Sequence, residues 1–325
     1  MAHQQVSECS DQTVKWRHAF AFPSQPVSAR EKPASAYIGR FAPSPTGALH
    51  FGSLVAAVGS YLRARSLGGR WLVRIEDIDP PREVPGAADE QIATLAAFGL
   101  HADAPVGYQS QSAQLHERAL EQLLSDGSAY WCGCSRRDLP PDGIYPGTCR
   151  DGLPPGRKPR SVRMRTDNAE VECFIDAIQG EYCDHPGRIG GDFIVRRGDG
   201  LIAYQLAVVV DDAAAGITEV VRGADLIDST PRQLLVYHRL GLRPPGWMHL
   251  PLVTDGNGRK LSKSDEDDPV VARPYGEALR LALRALGHEP PTGARSLEAQ
   301  LDWALAHFEI GRIPKGPVAV GVHPS

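Results

Sequence analysis

The apolar positions of this chain follow two periods, and the alternation between them outlines the fold. "SAYIGRFAP" (35–43) is a short apolar run that stops at a proline and predicts a first strand. In "HFGSLVAAVGSYLRARS" (50–66), Leu54, Ala57, Val58, Tyr61 and Leu62 recur at helical spacing. "RWLVRIEDID" (70–79) predicts a second strand, with Leu72, Val73 and Ile75 as its apolar content. Two further helices follow, in "GAADEQIATLAAFGL" (86–100) and in "SAQLHERALEQLLSDG" (112–127), the latter closed by Gly127. From Tyr130 to about Gly191 proline, glycine and basic residues accumulate, as in "LPPDGIYPGTCRDGLPPGRKPR". That stretch reads as an insertion with little apolar core of its own.

Regular patterning returns in "DFIVRRGDGLIAYQLAVVVDD" (192–212), with a hairpin signal around Gly198–Gly200 leading into an apolar element. "ITEVVRGADL" predicts a strand, "STPRQLLVYHRLG" a helix capped at Ser229 or Thr230, and "MHLPLVTD" another strand. The polar, glycine-rich "GNGRKLSKSDEDD" comes next, then helical patterns over about 274–310 with Trp303 and Phe308 on one face. Strands alternating with helices imply an α/β protein with a parallel sheet, split by the insertion. The expected divisions are a mobile extension over 1–35, a first catalytic half over 36–131, the insertion over 132–191, a second half over 192–254, and a terminal region over 255–325.

Composition narrows the setting. The chain has 325 residues, 42% of them hydrophobic, which is ample for a buried core. No apolar run approaches the length of a membrane span, and the polar N-terminus has no signal-peptide pattern, so the expectation is a cytoplasmic protein with no membrane partner. A net charge of −4 argues against a broadly basic nucleic-acid coat but leaves room for a local basic groove. Six cysteines in a chain of this length are too sparse for a disulfide scaffold.

The candidate chemistry sits where strands end and helices begin. "PSPTGALHFGSL" (43–54) places His50 and Gly52 at such a junction. Ligands of open α/β sheets bind there, and a helix N-terminus offers free N–H groups suited to a phosphate. Gly52 permits close approach of a flat adenine or ribose, and His50 can donate to a phosphoryl oxygen. A plain helix cap is the alternative for this pair. "KLSKS" (260–264) lies in a glycine-rich loop after a late strand, and its lysines and hydroxyls suit a triphosphate.

Together these two stretches resemble the signatures of class I aminoacyl-tRNA synthetases. "RFAPSPTG", "RIEDID" and "VVRGADLIDSTPRQ" place the resemblance, which covers about 37–270, in the glutamyl branch. Glutaminyl relatives carry a glutamate and an asparagine where this chain has Ser44 and Thr46. The resemblance implies a Rossmann-type catalytic core with a zinc-bearing insertion and a short helical C-terminal piece. It implies adenylate formation from ATP, with Mg2+ assisting, in which His50, Gly52, Lys260 and Lys263 are catalytic. Pro43, His50, Gly52, Ser53 and Lys263 would bind ATP. Arg40, Phe41, Ala42, Pro43, Ser44, Glu76, Tyr204 and Arg222 would bind L-glutamate, with Arg40 forking onto the side-chain carboxylate and Glu76 holding the α-ammonium.

Only 61 residues follow Ser264, too few for the helical anticodon-binding region of a full glutamyl-tRNA synthetase. "LHFGSLVAAVGSYL" and "RIEDIDPPRE" resemble instead the truncated paralogue family, the glutamyl-Q tRNA(Asp) synthetases. That family activates glutamate without tRNA and places it on queuosine at the wobble position of tRNA(Asp). A short glutamyl-tRNA synthetase charging a 3′ end and an inactive RNA-binding paralogue are the alternatives. A monomer is expected.

"WCGCSRRDLPPDGIYPGTC" (131–149) gathers Cys132, Cys134 and Cys149 into a stretch that suits a structural zinc ion. The resemblance supplies Tyr145 as the fourth ligand. Cys173 and Cys183 are alternative ligands or simple core residues.

Overall fold

The structure is a computed structural model, and it describes residues 37–254, 270 and 274–319. The strands are β1 (Ile38–Phe41), β2 (Arg70–Ile75), β3 (Gly107–Tyr108), β4 (Ala129–Cys132), β5 (Ser161–Met164), β6 (Glu172–Asp176), β7 (Gly180–Asp184), β8 (Ile194–Arg196), β9 (Glu219–Gly223), β10 (Gly246–Leu250), β11 (Val253–Thr254) and β12 (Val318–Ala319). The helices are α1 (Phe51–Ser66), α2 (Ala87–Ala97), α3 (Ala113–Ser125), α4 (Tyr204–Ala214), α5 (Thr230–Arg239), α6 (Tyr275–Ala285) and α7 (Leu297–His307). The expected extension over 1–35 and the KLSKS loop with Lys260 and Lys263 lie outside the described residues.

Parallel pairing dominates the center, in keeping with an α/β protein. β1, β2 and β3 form one parallel group, and β6, β10 and β9 form another in that order. β9 runs beside β1, and the Thr218 amide donates to the Ile38 carbonyl at 2.9 Å. A third group, β4, β5 and β8, is antiparallel.

Helices cover these strands because the strands are apolar on both faces. In β2, Trp71, Val73 and Ile75 are buried, and Trp71 and Val73 belong to a core shared with α1, α6 and α7. Leu72 packs toward a second core, built from α3, α4, α5 and the strands between them. α1 lies so close to β10 that a Cβ on Gly59 would sit 2.6 Å from Leu250 Cδ1.

The stretch expected as an insertion contributes more regular structure than its composition indicates. β6 and β7 form an antiparallel hairpin that joins the β10–β9 group through β6. Cys173 and Cys183 face each other across that hairpin in a disulfide, on its exposed side. They are therefore neither core residues nor members of the other cysteine cluster, a correction to the expectation. Their spacing follows the register of the two strands, which composition does not reveal.

The helix expected to be capped at Ser229 or Thr230 is α5, but neither side chain caps it. A 3-10 turn over Ala224–Ser229 runs straight into it, so its first N–H groups already have a preceding turn. The Thr230 hydroxyl is used elsewhere, by Arg222.

Candidate active site

β1 ends at Phe41, and the chain turns through "APSPTGALH" into α1. Hydrogen bonds from several elements hold this turn against its surroundings. The Glu76 amide donates to the Pro43 carbonyl at 2.9 Å, and Gln91 Nε2 donates to the carbonyls of Ser44 and Gly47 at 3.1 and 2.7 Å. Gly47, at φ +134°, provides a backbone angle that L side chains rarely adopt.

His50 is the N-cap of α1, its Nδ1 accepting from the Ser53 amide at 3.2 Å. Capping and phosphate binding do not exclude each other. With Nδ1 an acceptor, the neutral ring carries its proton on Nε2, which lies 2.9 Å from Ser53 Oγ. That N–H is a donor at the positive end of a 16-residue helix.

A cavity of about 470 Å³ opens here, between the ends of β1, β9 and β10. Its lining brings together Arg40, Phe41, Ala42, Pro43, Ser44, His50, Gly52, Ser53, Glu76, Tyr204 and Arg222, all expected from the sequence. Val221, Gly223, Asp225, Pro251 and Leu252 add to the wall.

Two buried arginines bring positive charge to the cavity beside the carboxylates of Glu76 and Asp225, and their surroundings differ. Arg40 Nε lies 3.2 Å from Asp212 Oδ1, and its Nη1 points at the Val221 carbonyl at 3.4 Å. The edge containing Nε is thus already occupied. Asp212 also takes Arg74 Nη1 at 2.7 Å, and Arg74 Nη2 reaches Glu76 at 3.3 Å. Burial pushes the Glu76 carboxyl up, against the pull of Arg74 and Arg40. Burial also works against the charge on Asp212, but Arg40 and Arg74 overcome it and hold its carboxyl below the usual range. Beside it Asp211 accepts from Gln109 at 2.7 Å and contacts His116 Nε2 at 2.9 Å.

Arg222 is 5% exposed and forms no ion pair among the described residues. Its hydrogen bonds all go to neutral acceptors: His249 Nε2 at 3.1 Å, the Tyr204 hydroxyl at 3.3 Å, the Leu226 carbonyl at 3.2 Å and Thr230 Oγ1 at 2.9 Å. Burial pulls its pKa down. A buried guanidinium satisfied in geometry but not in charge is a site for an incoming anion, and the planar fork favours a carboxylate.

Sequence reasoning did not reach Arg74, Asp211, Asp212 or His249. The one available signal was the pair of aspartates ending the apolar run "LAVVVDD", since adjacent buried carboxylates require partners.

The cysteine cluster is formed by the last residue of β4 and the loop that follows it. The Sγ atoms of Cys132, Cys134 and Cys149 lie within 4.8 Å of one another and are buried. Cys134 and Cys149 Sγ are 3.8 Å apart, and Tyr145 Oη is 3.3 Å from Cys132 Sγ. Thiolates at about 2.3 Å from a tetrahedral zinc ion stand roughly 3.8 Å apart, so these donors fit one ion. Burial and the neighbouring thiols push Cys134 up to about 11. Arg163 lies over the Tyr145 ring at 3.9 Å. Gly191 closes the loop at φ +69°, and a Cβ there would meet the Tyr145 carbonyl at 2.4 Å.

The family model for the catalytic domain of class I tRNA synthetases (E and Q) matches residues 38–140 and 153–284. A glutamyl-Q tRNA(Asp) synthetase of Chromobacterium violaceum is 52% identical over 289 residues, 87% of this chain and 97% of the relative. One from Pseudomonas paraeruginosa is 51% identical over 284 residues, 86% of this chain and 96% of that one. Among solved structures, a glutamate-tRNA synthetase from Elizabethkingia anophelis superposes with a TM-score of 0.73 at 24% identity, covering 88% of this chain and 68% of its own, a likeness of fold.

Proposed function

This chain belongs to the glutamyl-Q tRNA(Asp) synthetases, a family with the class I (E and Q) catalytic domain, and from that premise we propose that it activates L-glutamate with ATP and transfers it to queuosine in tRNA(Asp). The observation that carries the substrate assignment is Arg222, buried in the cavity wall with four hydrogen bonds to neutral acceptors. Glutamate brings the missing negative charge.

In the reaction, the α-carboxylate of glutamate attacks the α-phosphorus of ATP and pyrophosphate departs, giving glutamyl-AMP. Queuosine then takes the glutamyl group and AMP leaves. Little covalent chemistry falls to the protein, so positioning and charge stabilisation supply the rate. His50 Nε2–H and the first amides of α1 meet phosphate oxygens. Gly52 leaves room for the nucleotide. Arg222, Tyr204 and the outer edge of Arg40 hold a substrate carboxylate, and Glu76 holds the ammonium. Lys260 and Lys263 complete the triphosphate site, with Mg2+ accompanying ATP.

Cys132, Cys134, Cys149 and Tyr145 would hold a zinc ion. With four protein ligands the coordination is closed, so the metal would stiffen the loop and take no part in catalysis. The reaction belongs in the cytoplasm, where tRNA is found.

Glutamate-dependent exchange between ATP and pyrophosphate, run without tRNA, tests the first step. Exchange with glutamate alone supports the reading, and an absolute requirement for tRNA(Glu) contradicts it.

A further inference from the structure

Behind Arg222 lies a buried row of side chains on three adjacent strands. His249 of β10 is the register partner of Arg222 of β9, and Asp176 ends the neighbouring β6. All three are at most 5% exposed. His249 Nδ1 is 2.6 Å from Asp176 Oδ2, and Arg222 Nε is 3.1 Å from His249 Nε2. Trp247 stacks on the imidazole at 6.3 Å, and Phe174 flanks it at 6.1 Å.

The donor inventory fixes the tautomer of this imidazole. A guanidinium Nε always carries hydrogen, so His249 Nε2 must be the acceptor. The ring proton then resides on Nδ1 and is donated to Asp176. Asp176 is itself fixed: Oδ1 accepts the amides of Ile178 at 2.9 Å and Gln179 at 2.8 Å, the His249 amide is shared between Oδ2 at 3.0 Å and Oδ1 at 3.2 Å, and Oδ2 also takes the imidazole.

We propose that Asp176 and His249 are positioning residues for the substrate carboxylate: Asp176 selects the Nδ1–H tautomer of His249, whose bare Nε2 then aims Arg222 into the cavity. The inference rests on the reading that Arg222 meets glutamate. Neither Asp176 nor His249 lines the cavity, so both act through Arg222. The arrangement also supplies Arg222 with an acceptor that carries no negative charge. A carboxylate in the place of His249 would neutralise the guanidinium and compete with the substrate.

Asp176→Asn is the informative variant because it changes no shape. Its carbonyl oxygen stays on the amides of Ile178 and Gln179 and within reach of the His249 amide, and its NH2 then faces His249 Nδ1. That donor forces the proton onto Nε2, where it opposes Arg222 Nε–H. An isosteric Asp→Asn change that traps a buried imidazole in the wrong tautomer is known to disable an active site. In pyrophosphate exchange, we expect the glutamate KM to rise at least roughly tenfold while the ATP KM stays within about twofold. A 15N spectrum of histidine-labelled protein should show the His249 proton on Nδ1 in the wild type and on Nε2 in the variant. His249→Gln, whose side-chain oxygen can accept from Arg222, should recover most of the glutamate KM.

An unchanged glutamate KM in Asp176→Asn overturns the proposal, as does a wild-type proton on Nε2. A parallel rise in both KM values overturns it too, because a general structural defect would move both, unless His249→Gln restores glutamate alone. Arg222→Gln distinguishes the two levels. If that variant leaves the glutamate KM unchanged, the pocket assignment itself fails and the positioning role falls with it. If it raises the KM while Asp176→Asn does not, only the positioning role fails.

Discussion

Arg40 and Asp212 form a buried pair, with Nε 3.2 Å from Oδ1 and each side chain no more than 4% exposed. The aspartate is shared with Arg74, so one carboxylate on α4 anchors two cations from two strands. Removing it strands both. Asp212→Ala should cost about 3–5 kcal/mol of unfolding free energy, with Asp212→Asn costing less. Urea unfolding of the two variants checks this. A loss under about 1 kcal/mol for the alanine variant would mean that water reaches the arginines.

The second prediction concerns substrate choice. Arg222→Gln removes the one buried arginine of the cavity that forms no ion pair among the described residues. Losing a buried charge-assisted contact costs about 2–5 kcal/mol, so kcat/KM for glutamate should fall on the order of 30-fold or more. In the unchanged protein, glutamine should be used roughly a thousandfold less well than glutamate, since it leaves the guanidinium without a countercharge. Equal use of both amino acids would contradict the carboxylate site.

The third prediction concerns metal. The donor set of Cys132, Cys134, Cys149 and Tyr145 should bind one zinc ion per chain, measured by elemental analysis of metal-replete protein. Cys149→Ser should lose the metal and lower the melting temperature. Tyr145→Phe retaining zinc at full affinity would show that another group completes the shell.

The fourth prediction follows from Asp192, which ties the metal loop to the sheet. It is fully buried and accepts from Arg150, Tyr130 and both the amide and hydroxyl of Thr166. Burial raises its pKa, but these donors outweigh burial and hold it below the usual range. A depressed folded-state pKa means that the unfolded chain takes up the proton first. Its contribution is therefore complete above about pH 4 and is lost as pH falls through the folded-state value. Asp192→Asn should lower stability at pH 7 and flatten the acid limb of stability against pH. Unfolding curves of both proteins between pH 7 and pH 3 would show it, and parallel limbs would contradict it.

The alternation of periods made β1, α1, β2, α2 and α3 legible, because each carries its own apolar pattern. The cavity was legible through motif text, and its expected residues from Arg40 to Arg222 do converge. What escaped was long-range pairing. His249 and Asp176 are 73 residues apart and meet only because β10 lies between β6 and β9. Asp212 reaches Arg40 across 172 residues of chain. Nothing local marks such partners. The β6–β7 hairpin escaped because its outward positions, including Cys173, Ile175 and Cys183, leave only a thin apolar face.

The central claim is that glutamate ends on an anticodon nucleoside. The direct measurement supplies labelled glutamate and ATP with tRNA(Asp) carrying queuosine, tRNA(Asp) lacking it and tRNA(Glu), then digests the products and locates the label. The account predicts label on queuosine of tRNA(Asp) and none on the other two. Label on the terminal ribose of tRNA(Glu) would contradict it and make the chain a short glutamyl-tRNA synthetase.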